Sequence, residues 1–309
     1  MLDSVTFVIL NVLIRDFFLF PMKFQKCQEF HYFLKYKEIK IDFYVGSGTL
    51  VIQTNAHKLL NKDIITIGDL VDYKKKLYKI LYDVFGNYKY SLLLSRIDYC
   101  VDLTMNIKTE ELKNYLELLY KHDFSYRHAK IHNKYNSSFY MATKRGSYNL
   151  NFYSKYEQMD KKDEKWKGTF RLELQIKKSK IKRECVKNKI ERKIENYWIE
   201  KAMDKYFFEF LQNFLHKGNY YRLDVAENMI LNSDYSGYMK NRLIDFIRKI
   251  NKDGMSEIKK TYNYATRRNY IKKLEKLNIN PVTLNVDKPY KEMENLLEKA
   301  RKTAKKLYF

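Results

Sequence analysis

Proline and glycine are scarce in this chain, 3 and 9 among 309 residues, which leaves little room for long flexible linkers. Cysteine is scarce too. Cys27, Cys100 and Cys185 are odd in number, far apart and without a CxxC pair, which argues against a disulfide framework or a zinc ribbon and points to a reducing compartment. Long apolar runs are missing: the greasiest stretch, Val5 to Met22, is broken by Arg15 and Asp16, with no basic segment before it and no small-residue cleavage site after it. It reads as two short buried strands, so the expectation is a soluble, cytoplasmic protein with no membrane partner. No Walker loop of the form GxxxxGK[ST] occurs, so any helicase must come from the host.

Positive charge, by contrast, is plentiful. Lys plus Arg number 60 against 37 Asp plus Glu, a formal net charge of +23, and a hydrophobic content of 45% rules out a disordered basic tail as the main content. Lys, Asn, Ile and Tyr are all abundant, as AT-rich codon usage would make them, so the distribution of charge says more than its total. Residues 161–193 carry 14 basic and 5 acidic side chains, and residues 251–309 carry 15 and 7. Positive charge gathered beside a folded core suggests a phosphate-rich partner, nucleic acid ahead of a membrane surface.

Two periodicities divide the chain. Up to about residue 177 period-two alternation dominates, as in Ile39, Ile41, Phe43 and Val45 before a Gly46-Ser47-Gly48 turn into Thr49 to Gln53, a predicted hairpin. Helical spacing interrupts it at about 65–85 and 109–121. From about Ile181 onward nearly everything reads helical, with stripes such as Ile199, Ala202, Met203, Tyr206, Phe207 and Phe210. The expected fold class is α+β: an antiparallel-sheet domain over residues 1–215, then a helical domain over 216–309.

Three segments carry the candidate chemistry: Ser95 to Leu103, Ser147 to Gln158 and Thr169 to Lys177. Read as strands, they put Ile97, Tyr99, Val101 and Leu103 on one face and Arg96, Asp98, Cys100 and Asp102 on the other. Likewise Phe170, Leu172, Leu174 and Ile176 oppose Arg171, Glu173, Gln175 and Lys177. One apolar and one wet face is common in antiparallel sheets, and the carboxylates then serve as cross-strand ion pairs. The sharper reading makes the wet face a cleft floor, where carboxylates hold a hard divalent cation beside a basic wall that receives phosphates. Asp98 and Asp102 stand four strand residues apart, roughly 13 Å at ~3.3 Å per residue, so they cannot share one ion. A cross-strand pair such as Asp98 and Glu173 can.

In this order, Arg96-x-Asp98-x-x-x-Asp102, Tyr153-x-Lys155 and Arg171-x-Glu173 resemble the catalytic-domain pattern of rolling-circle replication initiators, of both the staphylococcal-plasmid trans-acting type and the filamentous-phage type. Met1 to Val5 and Thr261 to Pro281 are similar to the phage type. The resemblance implies an HUH-like sheet without the histidine motif and a DNA-nicking endonuclease dependent on Mg²⁺ or Mn²⁺. Its tyrosine would attack a phosphodiester at a replication origin, leaving a 5′-phosphotyrosine and a free 3′-hydroxyl for host polymerase. Carried over residue by residue, it implies Asp98 and Glu173 as metal ligands and Lys155 as a phosphate-positioning cation. The family's acid three residues after that lysine is Gln158 here, and Glu157, sharing the strand parity of Lys155, is the expected substitute. The family's tyrosine follows the Arg-x-Glu strand on a helix; Glu157 to Asn196 contains none, which makes Tyr197 the expected nucleophile ahead of Tyr206.

Arg96 and Arg171 are expected to contact DNA on the wet face. Among the C-terminal helices, Thr266 reads as an N-cap followed by Arg267, Arg268 and Lys272, a basic helix start of helix-turn-helix or winged-helix type suited to duplex DNA. The expected partners are single-stranded and duplex origin DNA, host helicase and polymerase, and a second copy in a homodimer. His128 and His132 read as solvated or phosphate-contacting residues rather than a zinc site. The competing expectation is a non-catalytic DNA-binding regulator. A relaxase or tyrosine recombinase fits less well, for want of a histidine cluster or an Arg…His-x-x-Arg…Tyr set.

Overall fold

Alternation of apolar and polar residues builds most of the N-terminal two thirds. The computed structural model describes residues 1–87, 90–105, 109–122, 138–142, 146–159 and 163–308. Among these, nine strands make one sheet: β1 (Leu2–Ile9), β2 (Gln25–Gln28), β3 (His31–Tyr36), β4 (Ile39–Tyr44), β5 (Thr49–Asn55), β6 (Leu93–Thr104), β7 (Ser138–Ala142), β8 (Tyr148–Ser154) and β9 (Thr169–Lys177). They lie in the order β2-β3-β4-β5-β1-β6-β9-β8-β7, every neighbouring pair antiparallel. The predicted hairpin is β4–β5, closed by a 3₁₀ turn whose Gly48 takes φ +55°. The stretch after β1 departs from expectation: where a second strand was predicted, Ile14–Phe18 is a short helix, α1.

One face of the sheet is dry. Ile97, Tyr99, Val101 and Leu103 of β6 and Phe170, Leu172, Leu174 and Ile176 of β9 are all buried. Helices α2 (Ala56–Leu60) and α3 (Leu70–Phe85) follow β5, and α3 covers the dry face, its Tyr73 packing on Trp198 at 4.9 Å. Helix α4 (Thr109–Lys121) follows β6. The turn α5 (Lys155–Gln158) ends β8, and α6 (Lys178–Asn188) follows β9 directly and packs on β6 and β9.

Beyond α7 (Glu200–Met203) and α8 (Glu209–Leu215) the chain turns through Gly218, φ +85°. A Cβ there would lie 2.5 Å from the Ile279 backbone, so only glycine fits. The two-stranded pair β10 (Tyr220–Tyr221) and β11 (Glu292–Met293) brackets α9 (Leu223–Leu231), α10 (Gly237–Thr261, kinked at Gly254) and α11 (Tyr264–Lys276). Asn263, not Thr266, is the N-cap of α11; its side chain accepts from the Thr266 N–H at 2.9 Å, which places Thr266 inside the first turn. The last helix, α12 (Leu296–Leu307), returns to the sheet and packs on β6 and α8. Tyr308 after it accepts a 3.4 Å hydrogen bond from the Asp102 N–H. Sheet and C-terminal helices therefore share one hydrophobic core. Among the described residues no helix is long and apolar enough to cross a membrane.

Candidate active site on the polar face of the sheet

Register decides which polar side chains meet. β6 and β9 pair Asp102 with Arg171, Cys100 with Glu173 and Asp98 with Gln175, while β8 and β9 pair Tyr153 with Arg171, Asn151 with Glu173 and Asn149 with Gln175. Directly paired residues share a face, so one continuous polar floor forms opposite the dry face. Its centre is buried despite its polarity: Asp98 and Arg171 are 1% exposed and Glu173 5%.

Arg171 holds one corner. Its Nε and Nη2 donate to the two carboxylate oxygens of Asp102, both at 2.6 Å, and Nη1 reaches Asp3. Asp3 arrives there through a bulge in β1: Leu2 pairs with Tyr99 and Val5 with Ile97, so three steps on β1 match two on β6 and Asp3 is turned onto the polar face. Burial pushes the Asp102 carboxyl up, but the hydrogen bonds and charge of Arg171 outweigh it and hold it below the usual carboxylate range. Arg171, expected to contact DNA, is thus consumed internally.

The carboxylate pair sits next to this clamp. Arg96 chelates Asp98 within β6, Nε to Oδ1 at 2.8 Å and Nη2 to Oδ2. Burial nonetheless drives the Asp98 carboxyl up to about 7, with the Glu173 and Asp3 charges pushing the same way. Glu173 accepts from Asn151 at 3.0 Å and Gln175 at 2.8 Å on one oxygen and from the Tyr153 hydroxyl at 3.0 Å on the other. The side-chain oxygens of Asn149 and Asn151, whose amide nitrogens donate to Gln175 and Glu173, are buried with no hydrogen-bond partner. Two carboxylates and two orphaned amide oxygens on this floor offer hard oxygen donors, the type that Mg²⁺ and Mn²⁺ take. Among the described residues no three His, Cys, Asp or Glu side chains converge as a ligand group. A cation here would therefore need the amides.

That result separates Glu157 from Asp98 and Glu173. Its assignment rested on strand parity with Lys155, but Ser154 caps a helical turn at 155–158, accepting from the Glu157 N–H at 3.3 Å, so alternation stops there. Lys155 lies by the Arg171, Asp102 and Asp3 corner. It is 9% exposed, with Nζ 4.6 Å from the centre of the Trp166 ring, and burial, followed by the nearby Arg171 charge, lowers its pKa.

Tyr197 lies elsewhere. It is fully buried, its ring stacks on Tyr206 at 5.4 Å, and its hydroxyl meets Cys185 Sγ at 3.4 Å. Tyr99, a dry-face residue, donates to the Tyr197 carbonyl. The sheet therefore stands between Tyr197 and the carboxylates. The tyrosine that reaches them is Tyr153, through Glu173. Its Asn149-x-Asn151-x-Tyr153 alternation was visible in the sequence, but not which strand it would face.

On α11, Arg268 and Lys272 are exposed and Arg267 is half-buried, its guanidinium 5.9 Å from the centre of the Tyr264 ring. Tyr270 turns inward and packs on Phe246. His128 and His132 lie outside the described residues.

No family model matches the chain, and no curated protein matches it. Among solved structures, a rolling circle replication initiator protein from Geobacillus stearothermophilus is similar over 62% of this chain and 79% of that one, with 13% identity and a TM-score of 0.30. A likeness this slight transfers neither fold detail nor activity.

Proposed function

We propose that this chain initiates rolling-circle replication by nicking and rejoining origin DNA. The observation that carries the reading is a tyrosine hydroxyl donating to a buried acid on the polar face, Tyr153 to Glu173 at 3.0 Å, with Asp98 feeling the Glu173 charge and Lys155 against the adjoining Arg171, Asp102 and Asp3 corner. A nucleophile hydrogen-bonded to an acceptor carboxylate is the arrangement that covalent phosphodiester chemistry needs. In this reading Tyr153 replaces Tyr197 as the nucleophile.

The steps follow from the side chains. Glu173 takes the phenolic proton, the Tyr153 oxygen attacks phosphorus, and the P–O3′ bond breaks. The 5′-phosphate stays on the tyrosine, and the departing 3′ oxygen takes a proton from solvent. Attack by a 3′-hydroxyl on the phosphotyrosine reverses the step and rejoins the strand. Lys155 places positive charge against the non-bridging oxygens. Asp98, Glu173 and the amide oxygens of Asn149 and Asn151 would hold Mg²⁺ or Mn²⁺, which when bound supplies further positive charge against the pentavalent phosphorus. Helix α11, entered through Asn263, would read duplex origin DNA through Arg267, Arg268 and Lys272. Host helicase and polymerase would extend the freed 3′ end.

The Arg96–Asp98 chelate favours one other reading, a non-catalytic DNA-binding regulator with internally paired acids. Incubation with supercoiled DNA carrying the replicon's origin and Mg²⁺, followed by mapping of the nick and of any tyrosine-linked strand, separates the two. A divalent-dependent covalent adduct is the expected result. Origin binding without nicking would establish the regulator instead.

A further inference from the structure

A single register line crosses six strands of the polar face. Lys177 of β9 pairs with Arg96 of β6, Arg96 with Thr6 of β1, Thr6 with Gln53 of β5, Gln53 with Lys40 of β4, and Lys40 with Lys35 of β3. These six side chains share the face that holds Asp98 and Glu173. Four are cations, the two between them are neutral hydrogen-bonding groups, and none is a carboxylate. Five inter-strand steps make the row about 24 Å long at roughly 4.8 Å per step.

The row is electrostatically unfavourable to the fold by itself. Like charges directly opposite one another destabilise a sheet, and both Lys40–Lys35 and Arg96–Lys177 are such pairs. Among the described residues neither Lys35 nor Lys40 has an ion-pair partner, and both are exposed. Arg96 is the exception: by chelating Asp98 it joins the row to the carboxylate site. The β3–β5 end lies in an open cleft of about 390 Å³ whose walls add Lys37, Lys58 and Asn55, with Glu38 as the acidic member of the lining. A row of spaced cations with hydrogen-bonding groups between them suits one extended phosphodiester chain.

We propose that this row is the track on which single-stranded DNA runs to or from the Asp98–Glu173 site, with phosphates on Lys177, Arg96, Lys40 and Lys35. The inference rests on the nicking reading and adds the path of the strand.

The test is the salt dependence of binding to a fluorescein-labelled oligothymidylate of roughly 16 nucleotides, without divalent cations. A Lys35→Ala/Lys40→Ala/Lys177→Ala variant should lower the slope of log K against log salt by about 2, that is ~0.7 for each of the three lost phosphate contacts. Lys→Arg at the same positions should restore the slope. A control with the same charge change, Lys75→Ala/Lys79→Ala/Lys182→Ala on α3 and α6, should leave it near the wild-type value. Thermal melting of each variant confirms that it folds. Wild-type binding with equal slopes in row and control variants would overturn the track and leave the nicking reading standing. Failure of the wild-type chain to bind single strands at all would remove both.

Discussion

The Tyr153 hydroxyl donates to Glu173 at 3.0 Å across neighbouring strands, whereas the Tyr197 hydroxyl meets Cys185 on the opposite side of the sheet. The two tyrosines therefore give opposite expectations. Tyr153→Phe should reduce covalent attachment to a single-stranded origin oligonucleotide at least 100-fold, whereas Tyr197→Phe should change it by less than about threefold. Denaturing gel electrophoresis of the labelled adduct measures both. Loss of adduct only in the Tyr197 variant would return the nucleophile to the dry face.

Arg171 is predicted to matter to the fold more than to DNA. Its guanidinium is 1% exposed and answers both Asp102 and Asp3, so Arg171→Ala leaves two half-buried carboxylates uncompensated. The expected cost is about 3–5 kcal/mol of unfolding free energy, read from urea denaturation. Arg171→Lys keeps a charge but loses the two-pronged geometry, and should fall between wild type and alanine.

Stability should also respond to pH through Asp98. The fold raises this carboxyl from 3.8 to about 7, so it binds a proton more tightly than the unfolded chain does. The associated stability is complete below pH 3.8 and is lost as pH rises through about 7. In metal-free buffer the Asp98→Asn variant, which cannot titrate, should show a flatter melting-temperature profile than wild type between pH 5 and 8. Parallel profiles would place the titration elsewhere.

Recognition of duplex DNA should divide from chemistry. Neutralising Arg267 and Arg268 together should lower the salt slope for duplex-origin binding by about 2, at ~0.9 per phosphate contact, and leave cleavage of preformed single strands unchanged. Equal loss of both activities would contradict separate surfaces.

Much of the fold was legible because burial imposes a period. The Thr169–Lys177 strand, the β4–β5 hairpin and the alternation along β6 follow from residues that must face a dry core every second position. Alternation failed at residues 155–158, where the Ser154 cap wins a helical turn and removes Glu157 from the parity of Lys155. It also failed at residues 14–18, where an apolar run too short to discriminate became a helix.

The two faces of each strand, with Asp98 and Glu173 as polar-face candidates, were legible from the chain alone, since side-chain direction in a strand is a local property. Tertiary structure alone decided which of these meet. Strand order and register are set by contacts between segments far apart in the chain, and they brought Tyr153 to Glu173, spent Arg171 on Asp102 and Asp3, set Tyr197 behind the sheet and lined Lys35, Lys40 and Arg96 into one row.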